Sequence, residues 1–272
     1  MPKKPGAYHR PDSVAEALQL LAKPDSVALA GGTKLLTSES GLPADHVIDL
    51  QALGLNQIEA GQDVLTVGAT CTLVDLAAAL AREYPSEPAS VLLQEVIHRE
   101  GPNTYRNAAT LGGSIASRLP DSELLAALLV LDTRLSFAGI AGSEEISLAA
   151  YLEADDLQPG LISSLQIPWT NGQGAAERVA RTPADYPIVS VVAWHPAAGS
   201  VRLAATGIGS LPERLYSAED ILSGEPGEDA ATAAADAAKN AAHHPGDFRG
   251  DAAYRAQMAE VLTRRVLQQL GR

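Results

Sequence analysis

The feature that most constrains this chain is an eight-residue run that can only be buried. From Leu124 to Leu131 the sequence reads LLAALLVL. A helix with no polar face has to be enclosed by other elements rather than laid on a surface. Directly before it stands NAATLGGSIASRLPDSE, Asn107 to Glu123, with two adjacent glycines, several hydroxyls and a proline. Backbone exposure of this kind, clamped onto a buried helix, is held rigid. Thr110, Gly112, Gly113 and Ser114 then present two uncovered N–H groups and two hydroxyls in one short span, a concavity that suits anionic oxygens without basic side chains. Ser122 and Glu123 read in two compatible ways. They cap the buried helix, as hydroxyl and acidic residues do, or Glu123 accepts hydrogen bonds from a ribose diol.

A second glycine pair lies about eighty residues earlier in AGGTKLL, Ala30 to Leu36. It fits neither the G-x-G-x-x-G dinucleotide fingerprint nor the G-x-x-x-x-G-K-[ST] phosphate loop. One reading is a tight strand-to-helix connection. The other is an anion cradle, with Lys34 near enough to touch a phosphate. Two such turns, each following a strand-like segment, suggest a grip on one extended ligand.

Composition narrows the rest. The chain has 272 residues, enough for two domains. Its formal charge is −13, with no Lys/Arg cluster to interrupt that field, which makes nucleic acid an unsuitable partner. The single cysteine, Cys71, excludes internal disulfides and cannot alone ligate an iron–sulfur cluster. It reads as a small buried residue, and any redox metal belongs to another chain. No apolar run approaches the ~18 residues that span a bilayer, and the opening MPKKPGAYHRPDS lacks a secretion-signal core, so the expected location is the cytoplasm. The adjacent His243 and His244 read as a solvated loop, as do Asp155 and Asp156. No nucleophile with its base, and no acid–base pair for hydrolysis, is legible.

Along the chain, Ser13 and Glu16 form a capping box opening a helix, and Thr72 with Asp75 forms another before LVDLAAALA. VLTVGAT, TRLSFAG, EEISLAA and SLQIPW read as strands, and a helix is expected over Ser90 to Arg99. TNGQGA, Thr170 to Ala175, has two glycines and no apolar anchor and reads as a boundary. Beyond it, IVSVVAW and SVRLAATGIG are strand-like. A last helix carries Tyr254, Met258, Leu262, Val266 and Leu270 at four-residue spacing. The second domain is thus expected to be a small sheet backed by helices.

The chain resembles the FAD-binding medium subunit of the molybdenum hydroxylases, the family of carbon monoxide dehydrogenase and xanthine dehydrogenase. AGGTKLL resembles that family's A-G-G-x-S-L turn, and RNAATLGGSIASRLPDSE resembles its R-N-x-x-T-I-G-G-N-[IL]-A-x-A-x-P-x-S-D segment. VGATCTLVDLA, LQPGLISSLQIP, ERVARTPADYPIVSVVAW and GDFRGDAAYRAQMAEVLTRRVL extend the likeness over nearly the whole chain. The resemblance implies an α+β fold: a FAD-binding domain of the vanillyl-alcohol-oxidase (PCMH) type over residues 1–170, with subdomains at about 1–55 and 56–170. A C-terminal domain with a small antiparallel sheet and helices would follow over 175–272.

It also implies FAD as cofactor, an iron–sulfur small subunit and a molybdopterin large subunit as partners in a heterotrimer, and delivery of electrons to an external acceptor. By position it assigns the diphosphate and ribityl chain to Ala30, Gly31, Gly32, Thr33, Lys34 and Leu35, and to Thr110, Gly112, Gly113, Ser114 and Ala116. Ser122 and Glu123 fall near the adenosine ribose, and Leu161, Ile162, Arg178 and Tyr186 fall where relatives approach the flavin ring. Before an apolar strand an aromatic such as Tyr186 reads equally as core. Lys34 stands in place of the family's serine, Ser114 in place of asparagine, Glu123 in place of aspartate, and Thr182 where relatives often have arginine. Two other readings of the same fold remain: a stand-alone flavin oxidoreductase, and a cofactor-free binding or assembly module.

Overall fold

The computed structural model describes residues 5–37, 44–140, 142–154, 160–169, 171–183, 185–223 and 227–271. Asp155, Asp156 and Thr170 lie outside them. The chain divides into two units, one of residues 1–76, 103–117 and 134–167, the other of residues 77–102, 118–133 and 168–272.

In the first unit the Ser13 hydroxyl accepts the Glu16 N–H at 3.2 Å and starts the helix Val14–Leu21. The Glu16 carboxylate reaches back to the Asp12 N–H at 3.2 Å, one residue beyond the expected reciprocal bond. A parallel three-stranded sheet, with His46–Asp49 between Ala7–His9 and Ser26–Leu29, forms beside this helix. Ala17, Ile48 and Leu50 share one apolar cluster with Ala138 and Leu161. Those last two residues belong to a five-stranded sheet in the order Ile58–Ala60, Val64–Gly68, Gly160–Pro168, Arg134–Gly139, Gly142–Ser147. Its pairing slips between Ser136 and Phe137. There the Ser163 hydroxyl donates to the Ser136 carbonyl at 3.0 Å, and the Ser163 carbonyl accepts the Ala69 N–H at 3.0 Å. An irregularity of this kind frees one residue from the ladder and lets it brace a neighbouring loop.

The second unit is built on a four-stranded antiparallel sheet ordered Glu213–Arg214, Arg202–Thr206, Val189–Pro196, Gly172–Val179. Val189, Val191 and Ala193 pack with Leu262, Val266 and Leu267 of the helix Ala252–Gln269. Side chains alternate across a strand, so Ser190 and Trp194 lie on the opposite face, where the helices Pro88–Arg99 and Glu123–Val130 cover the sheet. This two-sided burial is why IVSVVAW reads as a continuous apolar run and not as an alternating one. Glu123–Val130 is buried along its whole length, as its composition demands.

From Gly172 onward the TNGQGA segment is regular structure: Gly172–Val179 is an outer strand of the sheet. Its glycines mark close approach instead of flexibility. A Cβ on Gly172 would lie 2.7 Å from the Trp194 ring, and one on Gly174 would lie 3.0 Å from Leu92. Gly174→Val therefore overpacks the contact between strand and helix and is expected to cost about 1–3 kcal/mol. A urea midpoint equal to that of the wild type would show that Leu92 yields freely.

Candidate functional site

The first glycine turn follows the strand Ser26–Leu29. Gly32 takes φ +70°, in the left-handed region that favours glycine. Its carbonyl accepts the Leu36 N–H at 3.0 Å, and the Lys34 carbonyl accepts the Thr37 hydroxyl at 2.7 Å, which closes the short helix Leu35–Thr37. Among the described residues the N–H groups of Gly31, Gly32 and Thr33 find no acceptor. Successive open amides are donors of the kind that anionic oxygens accept from.

The second turn differs from expectation. Leu111–Ala116 is a short helix, and its glycine amides are not uncovered. Gly112 N–H donates to the Ala69 carbonyl at 2.8 Å, and Gly113 N–H donates to the Thr110 hydroxyl at 3.2 Å. Ser114 spends its hydroxyl on the Thr110 carbonyl at 3.0 Å. The reason is packing: a Cβ on Gly112 would sit 2.6 Å from the Ala69 side chain, so glycine lets the helix close on that loop. Ala116, at the end of the helix, is exposed.

The two turns do meet. A Cβ on Gly31 would fall 1.8 Å from the Ala108 carbonyl oxygen, a space that only glycine leaves free. Around this contact lies a cavity of about 420 Å³. Ala30 and Gly31 line it from the first turn, and Asn107, Ala108 and Thr110 from the second. Gln51, Asn56, Thr70, Thr72 and Asp75 complete the lining. The capping pair explains the last two: the Thr72 hydroxyl donates to the Asp75 carboxylate at 2.6 Å and accepts the Asp75 N–H at 3.2 Å. Gln51, Asn56 and Thr70 carry no local signal that sequence reasoning could have used. Lys34 places its ammonium 5.2 Å from the centre of the Tyr105 ring, a second tie between the turns. Cys71 is buried, and burial pushes its thiol up to about 12, so it stays protonated and inert. Leu161 and Ile162 are buried on the strand Gly160–Pro168.

Ser122, Glu123, Arg178 and Tyr186 belong to the second unit. Ser122 caps Glu123–Val130, accepting the Leu125 N–H at 3.3 Å. Glu123 is 2% exposed, and both of its oxygens have partners. Arg178 Nη1 lies 2.9 Å from Oε2, while Arg99 Nη1 at 3.4 Å and the Ser190 hydroxyl at 3.2 Å serve Oε1. The carboxylate read as a ribose acceptor thus already accepts from two arginines and a serine. Tyr186 is half-buried before the strand Val189–Pro196.

Glu100, also buried, accepts the Ser122 O–H at 2.6 Å and the Leu124 N–H at 3.1 Å. Desolvation pushes its carboxyl above the ordinary range against those two bonds, with the nearby Glu123 and Asp121 charges adding to the rise. A raised folded value means that the folded state holds the proton more tightly than the unfolded one. Stability is therefore lost as pH climbs from the ordinary carboxylate range through the folded value. Glu100→Gln removes this titration. Urea unfolding at about pH 5 and about pH 8 should show the variant gaining on the wild type at the higher pH. A constant difference would place Glu100 among ordinary carboxylates.

An α+β chain in which two glycine turns close on one polar cavity, with open amides beside hydroxyls and carboxamides, has the donors that a diphosphate and a polyol require. Residues 4–170 match the family described as FAD binding domain in molybdopterin dehydrogenase, and residues 176–270 match the CO dehydrogenase flavoprotein C-terminal domain. The chain belongs to this family of FAD-binding oxidoreductase subunits, and its cofactor is FAD. It is 30% identical to the nicotine 6-hydroxylase medium subunit of Paenarthrobacter nicotinovorans over 286 residues, 97% of this chain and 96% of that one. To the carbon monoxide dehydrogenase medium chain of Afipia carboxidovorans it is 28% identical over 283 residues, 96% and 95% of the two chains. The solved carbon monoxide dehydrogenase from Hydrogenophaga pseudoflava superposes with a TM-score of 0.89 at 25% identity, over 100% of this chain and 99% of that one. The α+β, CO dehydrogenase-type architecture expected from the sequence is the one observed.

Proposed function

We propose that this subunit passes electrons from iron–sulfur clusters in a small partner subunit, by way of FAD, to an external acceptor. The complex would be a cytoplasmic heterotrimer whose large subunit oxidises substrate at a molybdenum cofactor. The convergence of Ala30 and Gly31 with Asn107, Ala108 and Thr110 on one cavity carries the reading. The relatives, medium chains that match over almost their full length, support it. Among the described residues no helix is long and apolar enough to cross a membrane. With one cysteine, buried and protonated, the chain supplies no cluster of its own.

FAD, when bound, supplies the redox chemistry, and the protein supplies position and electrostatics. In this reading the Gly31, Gly32 and Thr33 amides, with Ala30, Lys34 and Leu35 around them, hold the diphosphate. Thr110 faces the same cavity, while Gly112, Gly113, Ser114 and Ala116 form the helix that fixes Thr110 and Ala108 in place. Leu161 and Ile162 offer buried apolar surface in the same unit. We assign 1–170 to the FAD-binding domain, with subdomains near 1–55 and 56–170, and 175–272 to the C-terminal domain.

The test is purification of the chain alone and co-expressed with a candidate iron–sulfur and molybdopterin pair. The expected outcome is FAD but no iron or molybdenum on the isolated chain, with flavin reduction by substrate only when the pair is present. Turnover of a substrate by the isolated chain would establish a stand-alone oxidoreductase instead.

A further inference from the structure

The geometry points to Lys34 as a positioning and affinity-determining residue for the diphosphate, aimed by the ring of Tyr105; this rests on the flavoprotein reading above. The three open amides of Gly31–Thr33 end at Lys34, and among the described residues the side chains lining the adjoining cavity include one carboxylate, Asp75, and no cation. The chain as a whole carries −13. A dianion approaching this cavity therefore meets a repelling field, which backbone dipoles and a nearby cation can offset. Lys34, a basic residue, is the next residue in the chain after those amides. An unsupported lysine is a mobile point charge. Here its ammonium is 5.2 Å from the Tyr105 ring centre, within cation–π range.

Tyr105 is itself fixed, because its carbonyl accepts the Ala108 N–H at 3.0 Å and the Ala109 N–H at 2.7 Å. Ala108 is the residue whose carbonyl faces Gly31. The lysine therefore joins the turn that offers the amides to the turn that closes against them.

The experiment titrates FAD and riboflavin into the deflavinated full chain at low and high salt, for wild type, Lys34→Met, Lys34→Arg and Tyr105→Leu. Lys34→Met should weaken FAD binding about tenfold or more at low salt, the scale of one hydrogen bond to a charged group. Riboflavin, which has no phosphate, should bind it as it binds the wild type. Raising salt screens the attraction to Lys34 as well as the general repulsion, so wild-type affinity for FAD should fall relative to that of Lys34→Met. Lys34→Arg should restore most of the loss, and Tyr105→Leu should lose a few-fold while keeping the wild-type salt slope.

Equal FAD affinity and slope in Lys34→Met and wild type would overturn the inference alone. So would an equal loss of riboflavin binding, or a loss that arginine does not rescue, since either indicates a packing role. A wild-type chain that takes up no FAD would remove the flavoprotein reading and this inference together.

Discussion

Replacing Gly31 with alanine will strip the purified protein of FAD while leaving its helix content intact. The added Cβ lies 1.8 Å from the Ala108 carbonyl oxygen, 2.7 Å from the Ala108 carbonyl carbon and 3.2 Å from the Ala109 Cα. All three are backbone atoms, so no side chain can swing aside. Restoring an ordinary carbon–oxygen contact of about 3.3–3.6 Å requires the two turns to part by roughly 1.5 Å. An anion held by successive amides loses its alignment with at least two of them on that scale. At about 1.5–3 kcal/mol for each hydrogen bond to a charged group, affinity should drop at least about a hundredfold.

Two other alanine replacements calibrate the result. Gly32→Ala pushes on the end of the Leu36 side chain at 2.7 Å and forces φ +70° on a residue with a Cβ, at a cost of about 1–2 kcal/mol. It should weaken FAD less than Gly31→Ala does. Gly54→Ala has a similar φ, +68°, but nothing within 4 Å, so it should lower stability by that backbone cost of about 1–2 kcal/mol and leave FAD in place. Flavin retained at wild-type stoichiometry in Gly31→Ala would show that the meeting of the turns does not shape the site.

That ordering also marks how far the sequence could be read. Both glycine pairs, the enclosed helix after the second, the caps at Ser13 and Thr72, and the long final helix are local patterns, and each was legible. The role of the glycines was not. Whether a glycine amide is open or spoken for depends on what lies across from it. Ala69 takes the Gly112 N–H from forty-three positions away, whereas nothing described takes that of Gly31. The same limit applies to Gly172 and Gly174, where composition alone suggests a boundary without structure of its own and the tertiary neighbours Trp194 and Leu92 explain a strand. The cavity residues Gln51 and Asn56 follow no motif at all; the fold brings them there.

Glu123 shows that limit in energetic terms. Its motif position suggests a ligand contact, yet its partners lie 24, 55 and 67 residues away in sequence, at Arg99, Arg178 and Ser190. Deleting the carboxylate as Glu123→Leu leaves two guanidinium groups with side-chain exposures of only 28% and 12%. Arg99 retains Glu95 at 2.5 Å, but among the described residues Arg178 keeps only the Pro183 carbonyl, also at 2.5 Å. Breaking such a buried pair from one side costs about 3–5 kcal/mol, because the remaining charge stays desolvated. At roughly 2–4 °C per kcal/mol for a chain of this size, Tm should fall by about 10 °C. Removing Arg178 as well, in Glu123→Leu/Arg178→Met, should recover part of the loss, since two apolar side chains tolerate the site better than one orphaned cation. A ligand-facing Glu123 makes the opposite prediction: FAD affinity falls, the melting temperature of the apo-protein stays put, and the second replacement rescues nothing. Thermal unfolding of the deflavinated single and double variants separates the two, and an unchanged apo-protein Tm in Glu123→Leu would falsify the structural role.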